Sequence, residues 1–317
     1  MKKVAISLAA FVVLMVATFM VFRTPDTDPA EMQAKYGGVD ARFAVTAGGM
    51  SVHYRDQGCR DCPAIVLIHG SNSSLHTFEP LSPLLEDKYR LISYDQPGHG
   101  LTGPHPLDDY SPRGMFEALD AVVEATGVER FALAGHSMGG WIAWRYALER
   151  PDRLWALILI SASGAPQTPN SEEPKPYLGA RITRHSVGRL LAQHITPRYF
   201  VEQSLFDSVF DDARVTETMV DRYWELLRLP GNRRAAGLLA LVDREPEYGR
   251  RLTELSLPTL ILWGDKDLVV PLHDATTFDD LIPNSDLQVF KDVGHLPTEE
   301  VPDRTAAAID NFLGGAH

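Results

Sequence analysis

Phe131-Ala-Leu-Ala-Gly-His-Ser-Met-Gly-Gly-Trp141 is the stretch around which the rest of the chain is organised. A short apolar run leads into Gly135-His-Ser-Met-Gly139, and a helix-like segment, 141–149, follows directly. This order predicts a strand, a very tight turn and a helix, with Ser137 at the tip of the turn. Glycines flank the turn because a Cβ atom at either position would collide with neighbouring backbone. The pattern G-x-S-x-G in this setting indicates a nucleophilic serine.

Further apolar runs have the length and composition of buried strands. These runs are 64–68, 89–94, 154–160, 257–263 and 287–290. Two alternating segments, 42–46 and 51–55, predict a β-hairpin. Helices are expected at 111–126, where Ser111 and Pro112 provide a cap and a first helical residue, and at 302–312. Strands that alternate with helices in this way predict an α/β fold with a mostly parallel, doubly wound sheet.

The stretch between the strands 154–160 and 257–263 interrupts this alternation. Its first part contains four prolines, Pro166, Pro169, Pro174 and Pro176, and the rest has arginine-rich helical patterns of mixed polarity. Such a stretch is too long for a plain connection between two core strands. We therefore expect a helical cap at 165–254, inserted before the penultimate strand of an α/β core that comprises 41–164 and 255–317.

The first 23 residues differ in composition from the rest of the chain. Lys2 and Lys3 precede an apolar or small stretch, 4–22, and Arg23 closes it. As a helix these nineteen residues would span roughly 28 Å, close to the roughly 30 Å of bilayer hydrocarbon. A cleaved signal peptide usually has a shorter apolar core and a small-residue cleavage site. We therefore predict a transmembrane signal-anchor at 1–23, with a cleaved signal peptide and a secreted form as the alternative.

The position of the charges around this segment predicts its orientation. Lysines lie before it and acidic residues follow it, so the positive-inside rule places the folded domain outside the cytoplasm, in the periplasm of a bacterium. Residues 24–40 are rich in Pro, Asp and Gly and predict a linker that leads away from the membrane. The only two cysteines, Cys59 and Cys62, are either a local disulfide, which an oxidising compartment permits, or unpaired thiols.

The bulk composition excludes some classes of function. A net charge of −12 and the lack of a Lys/Arg cluster argue against a nucleic-acid partner, because phosphate binding needs clustered positive charge. The eleven histidines show no H-E-x-x-H and no paired His/Cys spacing, so we expect no metal and no cofactor. The length of 317 residues fits one large α/β domain with an insertion, or two smaller domains.

In an open parallel sheet, functional groups collect at the carboxyl ends of the strands. The strand 64–68 ends in His69-Gly-Ser71, a small-residue turn. We predict that the amides of Ser71 and Met138 together form an oxyanion hole beside Ser137.

The later strand ends provide an acid and a base. Asp265 and Asp267 follow the strand 257–263, and on position alone either carboxylate can hold the Nδ1 proton of a histidine. His295 follows the last strand. The resulting chain order of Ser137, an aspartate and His295 is the order expected for a serine nucleophile on a strand-to-helix turn.

Taken together, these motifs resemble the α/β-hydrolase family over about residues 40 to 315. The matching stretches are the nucleophile elbow Gly135–Gly139, the oxyanion turn His69-Gly70, the D-x-P-G-x-G loop Asp95–Gly100, Gly264–Asp267 and Gly294-His295. In that family the acid usually stands three residues after the glycine, so the resemblance favours Asp267 over Asp265. The family also places a lid where this chain has its predicted cap.

The identity of the nucleophile narrows the expected chemistry. Relatives that displace carbon directly, the haloalkane dehalogenases and epoxide hydrolases, carry an aspartate at this position, whereas a serine with a histidine base suits attack on a carbonyl. The resemblance therefore implies a carboxylesterase-like serine hydrolase that acts through an acyl-enzyme on a small-molecule acyl substrate. Its implied catalytic triad is Ser137, Asp267 and His295.

Two alternatives remain open at this stage. The first is a carbon–carbon bond hydrolase of the meta-cleavage-product type, for which Arg181, Arg184 and Arg189 are candidate carboxylate-binding residues. The second belongs to another class, a ligand-binding receptor or scaffold with little turnover. Four aromatic residues are either pocket walls or ordinary core: Trp141, Phe206, Phe210 and Trp224.

Overall fold

The computed structural model describes residue 15 and residues 18–166, 185–243 and 245–315. The strands of the described chain are β1 (Arg42–Val45), β2 (Ser51–Gly58), β3 (Ala64–Ile68), β4 (Arg90–Tyr94), β5 (Phe131–His136), β6 (Leu154–Ile160), β7 (Thr259–Gly264) and β8 (Ser285–Phe290). The α-helices are α1 (Pro29–Tyr36), α2 (Ser82–Leu85), α3 (Pro112–Thr126), α4 (Met138–Glu149), α5 (Ser186–Ala192), α6 (Arg198–Phe206), α7 (Glu217–Leu227), α8 (Asn232–Leu239), α9 (Leu272–Leu281), α10 (Pro297–Glu300) and α11 (Pro302–Gly315). Short 3-10 helices occupy Leu75–Phe78, Pro151–Arg153, Asp212–Arg214 and Pro246–Glu254.

All eight of these strands form one sheet in the order β1-β2-β4-β3-β5-β6-β7-β8. The hairpin of β1 and β2 is antiparallel, and β2 pairs antiparallel with β4. Every other neighbouring pair, from β3–β4 to β7–β8, is parallel. The predicted fold class, a mostly parallel doubly wound sheet, is confirmed.

Apolar side chains cover both faces of the sheet because side chains alternate along each strand. In β3, Val66 and Ile68 enter one buried cluster with residues of α3, α4 and α9. Ile65 and Leu67 enter a second cluster with residues of α2 and α11. A strand buried on both faces has to be apolar throughout, and this explains the uninterrupted apolar runs.

The predicted linker 24–40 contains a helix, which the sequence-based prediction missed. Helix α1 has Pro29 at its first turn, and the Asp28 side chain accepts a hydrogen bond from the Glu31 amide at 2.9 Å. Proline and aspartate, which indicated a loop, are here the start signals of a helix. Met32 and Tyr36 pack in a small cluster with Leu226 and Leu229.

Helices α5 to α8 all lie between β6 and β7, in the described part of the predicted cap 165–254. Residues 167–184 and 244 of that range lie outside the described residues. A separate cluster holds α6 and α7 to the core, with Leu205, Met219 and Val220 packed against Leu296.

The predicted signal-anchor lies mostly outside the described residues. Within the described part of the chain, no helix combines the length and the apolar character that a membrane crossing requires. Residues 18–22 are helical, and the chain then contacts the helical segment, since the Thr24 amide donates to the His194 carbonyl at 2.7 Å. Cys59 and Cys62 form a disulfide in the loop between β2 and β3, with their Cα atoms 5.3 Å apart.

Candidate active site

Ser137 occupies the turn between β5 and α4 in a backbone conformation that L-residues rarely adopt, with φ 53° and ψ −118°. The flanking glycines allow this turn. A Cβ on Gly135 would lie 2.3 Å from the Gly139 carbonyl oxygen, and a Cβ on Gly139 would lie 2.2 Å from the carbonyl oxygen of Ile68. The Ser137 amide donates to the Ile160 carbonyl at 2.9 Å. Strands β3 and β6 therefore fix the turn from both sides.

His295 and Asp267, the predicted base and acid, are in contact. The Nδ1–H group of His295 donates to Oδ2 of Asp267 at 2.8 Å, and both side chains are almost fully buried. The other carboxylate oxygen of Asp267 accepts the amides of Val269 and Val270, both at 2.8 Å. These three hydrogen bonds hold the Asp267 carboxylate in one orientation. The carboxylate in turn keeps the proton of His295 on Nδ1, so Nε2 is free to accept a proton.

Asp265, the other eligible acid, points elsewhere. Its Oδ1 accepts the Asp292 amide at 2.7 Å, and its Oδ2 lies 3.1 Å from Nζ of Lys266. Asp265 therefore joins the loops after β7 and β8, while Asp267 alone of the two reaches the histidine.

The base loop and the nucleophile turn meet through a second histidine. The ring centroids of His136 and His295 are 4.8 Å apart, and Nε2–H of His136 donates to the His295 carbonyl at 2.7 Å. Burial, followed by the charge of His295, lowers the pKa of His136 to about 3, so this ring is neutral at physiological pH. In the described chain the Ser137 hydroxyl forms no hydrogen bond with His295 within 3.5 Å. Such bonds often shorten only when substrate is bound.

The two predicted oxyanion residues also lie side by side. The Ser71 hydroxyl donates to Sδ of Met138 at 3.2 Å. Met138 is the first residue of α4, where amides have no partner within the helix. A Cβ on Gly70 would lie 3.0 Å from Cβ of Ser137, so the turn after β3 passes directly against the nucleophile. An anion beside Ser137 would face both this turn and the helix N-terminus.

Glu300 is a functional candidate that the sequence reasoning missed. Its buried carboxylate accepts the amides of Gly294 and Phe210, both at 2.8 Å. The His295 amide in turn donates to the carbonyl of Ser208 at 2.7 Å. Glu300 thus ties the base loop to the turn that follows α6. Its signal in the sequence is weak, because a glutamate near the start of a helix is usually solvated.

Asp95, in the D-x-P-G-x-G loop, is the second residue that was not given a role. Its fully buried carboxylate accepts the amides of Leu75 and Leu101 at 2.8 Å and faces Nδ1 of His53 at 2.7 Å. Burial alone would raise the pKa of Asp95, but the neighbouring histidines His53, His69 and His76 together outweigh burial and hold this pKa well below its usual range. Asp95 therefore fastens β2 to the loops that flank the oxyanion turn.

The structure places the remaining candidates as follows. Trp141 is buried in the core, and Trp224 donates from Nε1 to the Thr196 carbonyl at 2.7 Å. Phe206 is half-buried and Phe210 is exposed. Arg189 is half-buried on α5, whereas Arg181 and Arg184 lie outside the described residues.

A surface cleft of about 500 Å³ opens near the start of α3. Three arginines contribute to its wall, Arg113, Arg145 and Arg150, but none of the predicted site residues does. Among the described residues no group of His, Cys, Asp or Glu is arranged to hold a metal ion.

Comparison with known proteins places this geometry among hydrolases. A family model described as alpha/beta hydrolase fold matches residues 63–302. An uncharacterized hydrolase of Bacillus subtilis, YugF, is 27% identical over 278 residues, which cover 84% of this chain and 96% of that protein. A 2-hydroxy-6-oxo-6-phenylhexa-2,4-dienoate hydrolase of Comamonas testosteroni is 26% identical over 272 residues, which cover 83% of this chain and 91% of that protein.

A solved structure of a hydrolase is also similar to this chain. The structure of a thermophilic esterase from Thermogutta terrifontis, with malate bound, is similar with a TM-score of 0.70 and 26% identity. The similarity covers 87% of this chain and 99% of that chain. The chain is therefore similar both to a hydrolase named for 2-hydroxy-6-oxo-6-phenylhexa-2,4-dienoate and to an esterase.

Proposed function

The chain belongs to the alpha/beta hydrolase family, and on this basis we propose that it is a serine hydrolase that cleaves a carboxylic ester or a related acyl substrate. One observation carries the proposal. Ser137 stands on a strained turn against the His295 loop, and His295 is held by Asp267 at 2.8 Å in the tautomer a general base requires.

The proposed reaction begins when Nε2 of His295 takes the hydroxyl proton of Ser137. The serine oxygen then forms a bond to the acyl carbon, and the carbonyl electrons move to the oxygen, which the amides of Ser71 and Met138 stabilise. Asp267 stabilises the imidazolium. The tetrahedral intermediate collapses with loss of the alcohol, which receives the proton from His295, and the acyl group stays on Ser137.

Water completes the proposed cycle. His295 takes a proton from a water molecule as its oxygen attacks the acyl-enzyme, and the second tetrahedral intermediate expels the Ser137 oxygen. The proton returns to Ser137 and the acid product leaves. Apart from the substrate and this water molecule, the proposed steps use only groups of the chain itself.

Ser137→Ala tests the proposal. We expect hydrolysis of short p-nitrophenyl esters to fall by roughly three orders of magnitude or more, because the nucleophile is removed. Circular dichroism and the melting temperature should remain those of a folded protein. Ser256→Ala, which changes an exposed serine, is the matched control and should retain parental turnover. Equal turnover by Ser137→Ala and the parent would exclude the proposal.

A carbon–carbon bond hydrolase is the second candidate. The Comamonas testosteroni relative is named for such a substrate, and this favours testing that chemistry. Activity on a vinylogous 1,5-diketone together with no activity on simple esters would support it. A third possibility, a ligand-binding scaffold with little turnover, would be supported if folded protein failed to react with a fluorophosphonate.

We also propose the arrangement of the whole chain that the sequence predicted, with a signal-anchor at 1–23, a helical cap at 165–254 and the core on the outer side of the membrane. The Cys59–Cys62 disulfide supports an oxidising compartment. Two hydrogen bonds support a cap, since they bring this segment to the site: the His295 amide donates to the Ser208 carbonyl, and the Phe210 amide donates to the Glu300 carboxylate.

A further inference from the structure

We propose that helices α5 and α6 present a surface that docks on a phospholipid bilayer, and that the substrate of the enzyme is therefore an acyl lipid drawn from that bilayer. The choice of substrate rests on the proposed function, whereas the docking surface does not. We call this surface the apolar face and define it by Val187, Leu190 and Leu191 of α5 and Tyr199 and Phe200 of α6.

The side chains of the apolar face are unusually exposed for their type. Val187 is 68% exposed, Leu190 59% and Leu191 44%, while Tyr199 is 60% exposed and Phe200 44%. Five such residues fall within fourteen positions of the chain. Single exposed apolar residues are ordinary, but a group this dense indicates a surface that binds another apolar partner.

The N-terminal segment emerges beside this face. The Thr24 amide donates to the His194 carbonyl at 2.7 Å, and the Thr196 amide donates to Oγ1 of Thr24 at 3.1 Å. The ring centroids of Phe19 and His194 are 5.9 Å apart. His194 and Thr196 lie in the connection between α5 and α6, so these contacts place Phe19 and Thr24 beside the connection that joins the two helices of the apolar face.

The sequence before this point indicates what covers the face. The apolar stretch 4–22 is long enough to cross a bilayer, and its last residues, Met20, Val21 and Phe22, are 59%, 78% and 59% exposed. A segment inserted in a bilayer and leaving it at Arg23 would hold α5 and α6 at the lipid surface. Tyrosine and phenylalanine in such positions are typical of the membrane interface.

The apolar face is also connected to the candidate active site. Tyr199 and Phe200 lie in the first turn of α6. This helix has nine residues and is therefore roughly 13 Å long. It ends two residues before Ser208, whose carbonyl accepts the His295 amide at 2.7 Å. One short helix therefore separates the lipid surface from the base. An extended acyl chain of ordinary lipid length is long enough to span that distance.

The net charge of the chain selects the type of bilayer for a test. At −12 the chain would be repelled by anionic lipid, so docking through the apolar face depends on burial of apolar area rather than on charge. Vesicles of phosphatidylcholine, which carry no net charge, are the appropriate probe.

The first experiment measures docking without using activity. Both native cysteines are in the disulfide, so Leu190→Cys introduces a single free thiol for an environment-sensitive fluorophore such as NBD. Val45→Cys, on edge strand β1 and 69% exposed, is the matched control. In the full chain reconstituted in phosphatidylcholine vesicles, we expect a blue-shifted, brighter emission at position 190 and unchanged emission at 45, relative to detergent. Equal emission at the two sites would overturn the proposal.

The second experiment measures substrate access. Leu190→Asp combined with Tyr199→Asp should leave turnover of a water-soluble p-nitrophenyl ester unchanged and lower turnover of a fluorogenic phospholipid ester in the same vesicles by about tenfold or more. Val45→Asp should change neither. Full retention of the phospholipid activity would overturn the lipid substrate. Absence of p-nitrophenyl hydrolysis in the parent would instead count against the proposed serine hydrolase, so the two failures are distinguishable.

A second copy of the chain is the other partner that could cover the face. Analytical ultracentrifugation in detergent distinguishes the two cases. A monomer agrees with docking on lipid, whereas a dimer that Leu190→Asp abolishes would overturn it.

Discussion

At the scale of single residues, the site depends on how the backbone of His295 is held. His295 donates its amide to Ser208 at 2.7 Å and accepts Nε2–H of His136 at its carbonyl at 2.7 Å. Its ring donates to Asp267 at 2.8 Å. A residue fixed at the ring and at both ends of its backbone unit has little freedom to reorient, and such positional control suits the proposed role of His295 as the base.

The role of His136 can be tested by His136→Phe, which keeps an aromatic ring and removes the donor to His295. We expect kcat for p-nitrophenyl esters to fall about tenfold with little change in KM, because a loosened base affects the reaction more than binding. Since the pKa of His136 is about 3, the pH–rate profile above roughly pH 5 should keep its shape. A shifted profile would show that His136 titrates in the reaction.

Asp274, in the first turn of α9, provides a pH-dependent test of stability next to the loop that carries Asp267. Burial, with a further contribution from the charge of Asp267, raises the pKa of Asp274 to about 6. The folded state therefore favours the protonated form, so ionisation between about pH 4 and about pH 6 costs folding free energy. Asp274→Asn should have parental stability near pH 4 and a higher free energy of unfolding above pH 6. Urea unfolding measures this, and an identical difference at both pH values would contradict the assignment.

At the scale of secondary structure, Glu300 at the end of α10 joins two elements that are distant in sequence. Its carboxylate accepts one amide from the base loop and one from the turn after α6, and burial raises its pKa above the usual range. Glu300→Gln replaces one acceptor with an NH2 group, which would face an N–H group. We expect kcat to fall by roughly tenfold and the melting temperature to fall with it.

Glu299→Gln is the matched control for this prediction. Glu299 is the adjacent residue and also loses a charge, but its carboxylate binds Arg222, Tyr223 and Thr77 and contacts no amide of the base loop. The Glu299→Gln variant should be less stable than the parent but should retain the parental kcat at a temperature where both variants are folded. If both variants lower kcat equally, Glu300 has no special effect on His295.

The central strands could be predicted from sequence because they are buried on both faces. The predicted strand 154–160 coincides with β6, and 64–68 coincides with β3. Helix α1 was missed because its stability comes from packing against Leu226 and Leu229, about two hundred residues later in the chain, and local sequence contains no record of that contact.

The residues of the candidate site could be predicted because the ends of the strands that carry them could be predicted. Ser137, Asp267 and His295 each follow a strand, and parallel strands bring their carboxyl ends to one edge. Glu300, His136 and Asp95 act through hydrogen bonds to backbone groups in other loops. Those partners are fixed by tertiary packing, so spacing along the chain does not reveal them.

At the scale of the whole molecule, one edge of the sheet collects the reactive groups and the helical segment adjoins it. The sheet order places β5 between β3 and β6, so the nucleophile turn is central and the oxyanion turn is next to it. The base loop contacts the helical segment at Ser208, and His194 of the same segment contacts Thr24. The proposed membrane surface, cap and triad therefore form one continuous path through described residues.

Covalent trapping of the nucleophile tests the central proposal most directly. Full-length protein is treated with a fluorophosphonate, digested and analysed by mass spectrometry, with Ser137→Ala and Ser256→Ala treated in parallel. We predict one adduct, on the peptide that contains Ser137, in the parent and in Ser256→Ala, and none in Ser137→Ala. An adduct on another residue, or ester turnover by folded protein that leaves Ser137 unmodified, would contradict the proposed mechanism.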